Sequence, residues 1–194
     1  MEPIDLAAVA DEFDREAAAT PAIDRFCSSS AWILPAAAAL MPPRTPYAFR
    51  GAAGYFAAAR GVHAAGFGYV EPLELAWGLA SPLIGRDPAA LVDEVIALLA
   101  ARTDWRVALF PGLVPDGPHR AALARARPAR WELRLGAPTL RHLASLAGGV
   151  DGFLGRRARE LRKSLRKGAR AAAAAGITFE SVRVHTAADA AALY

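Results

Sequence analysis

The run Glu71-Pro72-Leu73-Glu74-Leu75-Ala76-Trp77-Gly78-Leu79-Ala80-Ser81-Pro82 gathers two carboxylates, an indole and a hydroxyl within one short apolar stretch. Glu71 and Glu74 are the candidate catalytic groups. In apolar surroundings a carboxyl pKa rises toward neutrality, where the group can take a proton from an amine nucleophile. Trp77 and Ser81 are candidate substrate contacts, the first offering a flat apolar face and the second a hydroxyl. The same residues also have a structural reading, in which Trp77 packs in the core and the carboxylates sit at a strand edge or cap. His63 follows Arg60-Gly61-Val62 in a glycine-containing stretch. It is a third candidate substrate contact, or a histidine hydrogen-bonded within the fold.

A second constellation is electrostatic. Between Arg156 and Arg170 the chain carries six Arg and two Lys against one Glu, which is +7, whereas the whole protein is only +4. On a helical wheel Arg159, Arg162, Lys163, Arg166, Lys167 and Arg170 share one broad face, and Leu154, Ala158, Leu161, Leu165 and Ala172 form a narrower stripe away from it. Such a face attracts coenzyme A, nucleotide sugars, nucleic acid or anionic lipid through charge steering and charge-assisted hydrogen bonds. It also fits a solvated helix face, or one covered by an acidic domain. No aromatic residues are interleaved with these charges, which argues against single-strand nucleic-acid binding.

Cys27 and the four histidines, His63, His119, His142 and His185, lack metal-ligand spacing and any nucleophile motif, so no metal is expected. No Walker loop occurs. Gly61, Gly66 and Gly68 lack the strand-glycine-helix context of a dinucleotide cradle.

The elements that must position these groups follow from composition and period. With 194 residues and 54% hydrophobic content, the chain can bury one sizeable core. The longest apolar stretch, Ala31 to Met41, is interrupted by Pro35 and falls short of the roughly 20 residues of a membrane span. The acidic start at Glu2 and Asp5 is unlike a signal peptide, and a single cysteine fits a reducing compartment, so a cytoplasmic location is expected.

Asp5 precedes a first helix ending near Thr20-Pro21, and Ser28-Ser29-Ser30 caps a second, which tolerates Pro35 only in its first turn. Tyr47-Ala48-Phe49 and Tyr55-Phe56 flank Gly51-Ala52-Ala53-Gly54 as an early antiparallel hairpin, and Gly61 to Val70 reads as extended. Asp87-Pro88 opens a helix with Leu91, Val92, Val95, Ile96 and Leu99 on one face. Strands are expected at Trp105 to Phe110, Trp131 to Leu135 and Ile177 to Val184, and short helices at His119 to Arg127 and from Thr139. A long basic helix is expected from its cap at Asp151 to Ala175, with Gly176 just past its end. The alternation predicts an α/β (α+β) domain around a central mixed β-sheet flanked by helices. Thr186 with Asp189 resembles a capping box, so residues 186–194 read as the start of a further helix and the chain as the front part of something longer.

The stretch from Phe153-Leu154-Gly155-Arg156-Arg157-Ala158-Arg159-Glu160-Leu161-Arg162-Lys163-Ser164-Leu165-Arg166-Lys167-Gly168 through Ala175-Gly176-Ile177-Thr178-Phe179-Glu180 resembles the basic helix and following strand midway through FemAB-like proteins of the GNAT N-acyltransferase superfamily, which carry two tandem GNAT-type folds. The preceding order of elements, with Ser30-Ala31-Trp32 near a helix start, is similar to their first half. The resemblance implies a GNAT-like domain over residues 1–185 and the beginning of a second at 186–194. It also implies acyl-CoA, such as acetyl-CoA, as acyl donor and a small-molecule amine as acceptor, with this chain shaping the acceptor side. The family's glycine-containing pyrophosphate loop, Gln/Arg-x-x-Gly-x-Gly/Ala between a strand and a helix, is not found here, so the isolated chain is expected to be inactive. The alternative is a non-catalytic module whose helix over residues 156–170 docks on nucleic acid or another anionic partner.

Overall fold

The computed structural model describes residues 1–39, 44–75, 77–140 and 144–180. The chain forms two compact units, Met1–Pro138 and Thr139–Tyr194.

In the first unit the Asp5 carboxylate accepts from the Ala7 N–H at 3.0 Å and starts a 3-10 turn, Ala7–Val9, that runs into helix α1 (Ala10–Ala19). Phe13 and Ala17 are its buried face. The Thr20 hydroxyl donates to the Glu16 carbonyl at 2.8 Å and accepts from the Gly85 N–H at 2.9 Å, which fixes the helix end to a distant loop. Helix α2 (Ser30–Ala39) is capped from outside: Asp14 accepts from the Ser30 N–H at 2.6 Å and from its hydroxyl at 2.8 Å. Pro35 is the sixth residue of α2, beyond the first turn where the sequence reading admits it. It forfeits one bond, to the carbonyl of Ala31, an exposed residue that water can solvate.

Strands β1 (Glu2–Pro3), β2 (Thr45–Arg50), β3 (Tyr55–Val62), β4 (Gly68–Pro72), β5 (Leu83–Ile84) and β6 (Val107–Ala108) build one sheet. Its order is β1-β2-β3-β4-β6, with β5 paired to β3 beyond the end of β4, and only the β4–β6 pair is parallel. The expected hairpin forms, closed by the Gly51 N–H on the Gly54 carbonyl at 2.8 Å. Gly54 has φ +140°, and a Cβ there would overlap the Ile84 carbonyl, so both conformation and space demand glycine. A turn over residues 63–67 divides the extended segment expected at Gly61 to Val70.

Alternation along the strands sorts side chains onto two faces. Tyr47, Phe49, Phe56, Ala58 and Val70 join a core with helices α3 (Pro88–Ala100) and α4 (Pro118–Ala126), whereas Ala48, Tyr55, Ala57 and Ala59 join a second core with α1 and α2. The unit is therefore a mixed α+β fold with an open mixed sheet between helices. Helix α3 starts as its sequence predicts, Asp87 accepting from the Ala89 and Ala90 N–H groups at 3.0 and 3.1 Å with Pro88 in the first turn.

Two expected strands are shortened or lost. Of Trp105 to Phe110 only Val107–Ala108 pairs, because Trp105 turns away: its indole N–H donates to the Leu99 carbonyl at 3.1 Å and its ring meets Trp131 at 5.1 Å. Trp131 to Leu135 forms no strand. It pairs with neither edge strand of the sheet, β1 or β6, and Leu133 and Leu135 stay exposed.

In the second unit the single long helix expected from Asp151 is two helices, α5 (Gly149–Gly155) and α6 (Arg159–Ala174). Gly148, Gly149, Gly152 and Gly155 weaken the first segment, and Ala158 is extended at ψ 145°. Gly148 at φ +78°, not Asp151, is the N-cap, and Asp151 falls in the first turn. The other end follows the sequence: Gly176 at φ +69° donates to the Ala173 carbonyl at 3.1 Å, and Ile177 donates to that of Ala172 at 2.9 Å. Residues 177–180 are not strand, and 144–146 are not helical. The rest of the expected strand, the capping box at Thr186 and Asp189, and residues 141–143 of the helix expected at Thr139 lie outside the described residues. The apolar stripe of α6 is not buried, Leu161 and Leu165 being 45% and 48% exposed.

Burial thus separates two leucines that share a helical pattern. Leu99→Ala, at a site with no exposure, should cost about 2–5 kcal/mol in urea unfolding, and Leu161→Ala less than about 1 kcal/mol. A pH effect follows from α4. His119 is 2% exposed and its Nε2 has no partner, and burial pushes its pKa below the ordinary 6.5. The unfolded chain then binds the proton first, so stability should fall as pH drops through that value. His119→Leu should reduce that loss in urea titrations at neutral and mildly acidic pH.

Candidate functional site

The loop between β4 and β5 draws the predicted residues together. Glu71, on β4, meets Arg44, with Nη1 2.5 Å from Oε1 and side chains only 6% and 7% exposed on the Arg and Glu sides. Arg44 also donates to the Pro72 and Leu73 carbonyls at 3.1 and 2.8 Å. One guanidinium therefore fastens the end of β4 while neutralising the carboxylate beside it.

Glu74 is fully buried. Its Oε1 accepts from the Trp77 N–H at 2.6 Å, and its Oε2 from those of Leu79 and Ala80 at 3.1 and 3.4 Å. Three backbone donors that an irregular loop would leave orphaned thus converge on one carboxylate. This geometry gives both glutamates an organising role, Glu71 in a buried ion pair and Glu74 as the hub of its loop.

Ser81 is also buried. Its N–H donates to Ser28 Oγ at 3.0 Å, and its own hydroxyl lies 3.1 Å from the Leu83 N–H that donates to it. This bond brings the loop before α2 against the loop after β4, and with it Cys27. Burial first, and the Glu74 charge second, push the Cys27 thiol up, so it stays protonated at neutral pH and is a poor nucleophile.

Trp77 does not enter the core. It is 65% exposed, and its ring meets Trp32 at 5.4 Å with a 44° tilt; Trp32 in turn meets Phe26 at 5.5 Å with a 55° tilt, and Phe26 is 64% exposed. Sequence reasoning singled out Trp77 and missed Arg44, Phe26 and Ser28, and it used Trp32 only as a helix marker. Arg44 and Ser28 lie 27 and 53 positions from the residues they bond, and no local spacing reports such a contact.

His63 stands apart, in the turn at the opposite end of β4. Its Nδ1 accepts from the Ala65 N–H at 3.1 Å and its ring stacks on Phe67 at 4.6 Å. A cleft of about 260 Å³ lies beside this turn, lined by residues 65–68 and 103–106. It reaches none of the other predicted residues.

The six cations Arg159, Arg162, Lys163, Arg166, Lys167 and Arg170 all fall on α6, and none makes an ion pair with a described residue. Arg156 and Arg157 are engaged locally, the first by the Ser145 and Ala147 carbonyls at 2.8 and 2.9 Å and the second over the Phe153 ring at 4.2 Å. Among the described residues no cluster of three or more His, Cys, Asp or Glu side chains could hold a metal ion. Nor is any described helix long and apolar enough to cross a membrane.

Backbone N–H groups at helix starts and in loops are natural cradles for a pyrophosphate, and three such places in the first unit are held by the protein's own carboxylates, Asp14 at α2, Asp87 at α3 and Glu74 in the loop after β4, whereas the start of α4 has no side-chain cap. Compared with protein-family models, curated proteins and solved structures, the chain shows no match.

Removing the hub tests this arrangement. Glu74→Ala takes the acceptor from three loop N–H groups, that of the buried Ala80 among them, and should cost about 2–5 kcal/mol. Thermal unfolding followed by circular dichroism should show the loss, and a thiol reagent should alkylate Cys27 faster in the folded variant. An unchanged melting temperature would mean that the loop does not depend on Glu74.

Proposed function

We propose that this chain is the acceptor side of a GNAT-type, FemAB-like N-acyltransferase. The observation that carries the reading is where the loop bearing Trp77 leaves the sheet. Strands β4 and β6 are parallel over two register pairs only, whereas β4 continues paired with β3 to Pro72. Ligands of open sheets bind outside the carboxyl ends of parallel strands, and it is there that the loop with the exposed indole begins. The mixed sheet between helices, and the likeness of residues 153–180 to the mid-chain helix of that family, point the same way.

Acyl transfer needs an amine held against a thioester, with donors aimed at the developing oxyanion. The loop after β4 spends its donors on Glu74, so it is suited to positioning an acceptor rather than to activating a thioester. Acyl-CoA binding and activation would fall to residues other than those of the first unit.

A second reading rests on α6. Its six cations span about 16 Å along the axis, opposite the Leu161 and Leu165 stripe, which suits docking of the helix on a polyanion.

Coenzyme A should therefore bind this chain weakly, and the binding should vanish at high salt in calorimetry. A tight stoichiometric complex that survives high salt would move the acyl donor into this chain and overturn the acceptor-side reading. For the second reading, duplex RNA or DNA affinity measured by fluorescence anisotropy should fall steeply with salt. Changing Arg159, Arg162, Arg166 and Arg170 together to Ala should flatten that slope. A sequence-selective, sub-micromolar complex at physiological salt would rank the docking module first.

A further inference from the structure

Phe26, Trp32 and Trp77 come from two loops and a helix start, and they meet as a connected set of three rings with Trp32 in the middle. Leaving the outer two about two-thirds exposed forgoes much of the burial that large aromatics ordinarily supply. The rings are nevertheless held in place. The Trp77 N–H is bonded to the buried Glu74, the next residue, Gly78, takes φ +62°, and Trp32 lies in the first turn of α2, whose start is capped by Asp14. An exposed aromatic on a pinned backbone is pre-organised for contact, because little further ordering is needed when a partner arrives.

We infer that Phe26, Trp32 and Trp77 form a binding shelf for a planar aromatic ring carried by the acceptor-side ligand. The inference rests on the acceptor-side reading only for the word acceptor; the shelf itself follows from the rings and their supports.

Three features choose the ligand class. The rings already touch one another at 5.4 and 5.5 Å, which leaves no cage between them for an ammonium and offers outward faces instead. Most polar side chains on the segments that carry them are engaged with the protein, Glu71 with Arg44, Glu74 and Ser81 with backbone, Ser28 with the Ser81 N–H, and Ser29 with the Phe26 carbonyl, and Arg25 beside Phe26 is an exposed cation. A sugar needs free polar side chains to grip its hydroxyls, and a flat aromatic ring does not. The Trp32 indole N–H is buried, so Trp32 offers a ligand its ring face and not its donor.

Indole N–H resonances of the whole chain, ¹⁵N-labelled, read the shelf directly. Titration with tryptamine should shift the Trp32 and Trp77 signals and leave Trp105, whose N–H is bonded to the Leu99 carbonyl, unmoved. Cyclohexylamine, an amine with no flat face, and glucosamine, a pyranose amine, should bind more weakly by about tenfold or more. Trp77→Ala and, separately, Phe26→Ala should weaken tryptamine by a similar factor with unchanged melting temperature, because both rings are largely exposed. No shift with tryptamine, an equal response to cyclohexylamine, a preference for glucosamine, or unchanged tryptamine binding in both variants would overturn the inference. Tryptamine bound at the shelf of a protein that transfers no acyl group to any amine would remove the proposed function and leave the shelf standing.

Discussion

A buried carboxylate is among the most expensive groups a fold can hold, unless every lone pair that faces the interior meets a donor. Glu74 meets three, all from its own loop, and most of what is distinctive in the first unit depends on that. The loop between β4 and β5 has no ladder of its own, so its backbone N–H groups would otherwise be unmatched within the protein. Because they are gathered on one side chain, the loop can fold back toward the segment before α2, join it through Ser28 and Ser81, and present Trp77 outward. Arg44 does the complementary work at the start of the loop, supplying positive charge to Glu71 and donors to two carbonyls.

The same device recurs. Asp14 caps α2 from α1, Asp87 caps α3 locally, and the Thr20 hydroxyl bridges the end of α1 to Gly85. Each satisfies backbone groups that helix and strand ends leave open. Together they explain why a unit whose central strand β3 is rich in alanine still holds two helical layers at fixed places. Small side chains let the helices come close, and the polar ties set where they stop. At the starts of α2 and α3 they also fill positions where an anion would otherwise be cradled.

The second unit follows a different logic. Among its described residues none is buried in either helix, and its shape comes from local signals: glycines that break the chain at residues 148–155 and the left-handed Gly176 that ends α6. The charges of α6 lie opposite its leucines, so one flat surface cannot take both faces at once.

What the sequence by itself determined is what short range controls. The hairpin at Gly51 to Gly54, the Asp87-Pro88 start of α3, the Gly176 stop and the concentration of positive charge on one helix face all depend on neighbours within a few residues, and all are present. It also singled out the loop from Glu71 to Ser81 by composition. Tertiary structure decided the rest. The run from Trp131 to Leu135 alternates as a strand does, yet a strand exists only where it pairs with a neighbour, and alternation says nothing of partners. Glu71 and Glu74 read as proton acceptors or as strand-edge and cap residues until Arg44 and three backbone N–H groups occupied them, and Trp77 read as core or as contact until it met Trp32 at the surface. Contacts across tens of residues carry no periodic trace in the chain, because they depend on where separate elements come to rest against one another.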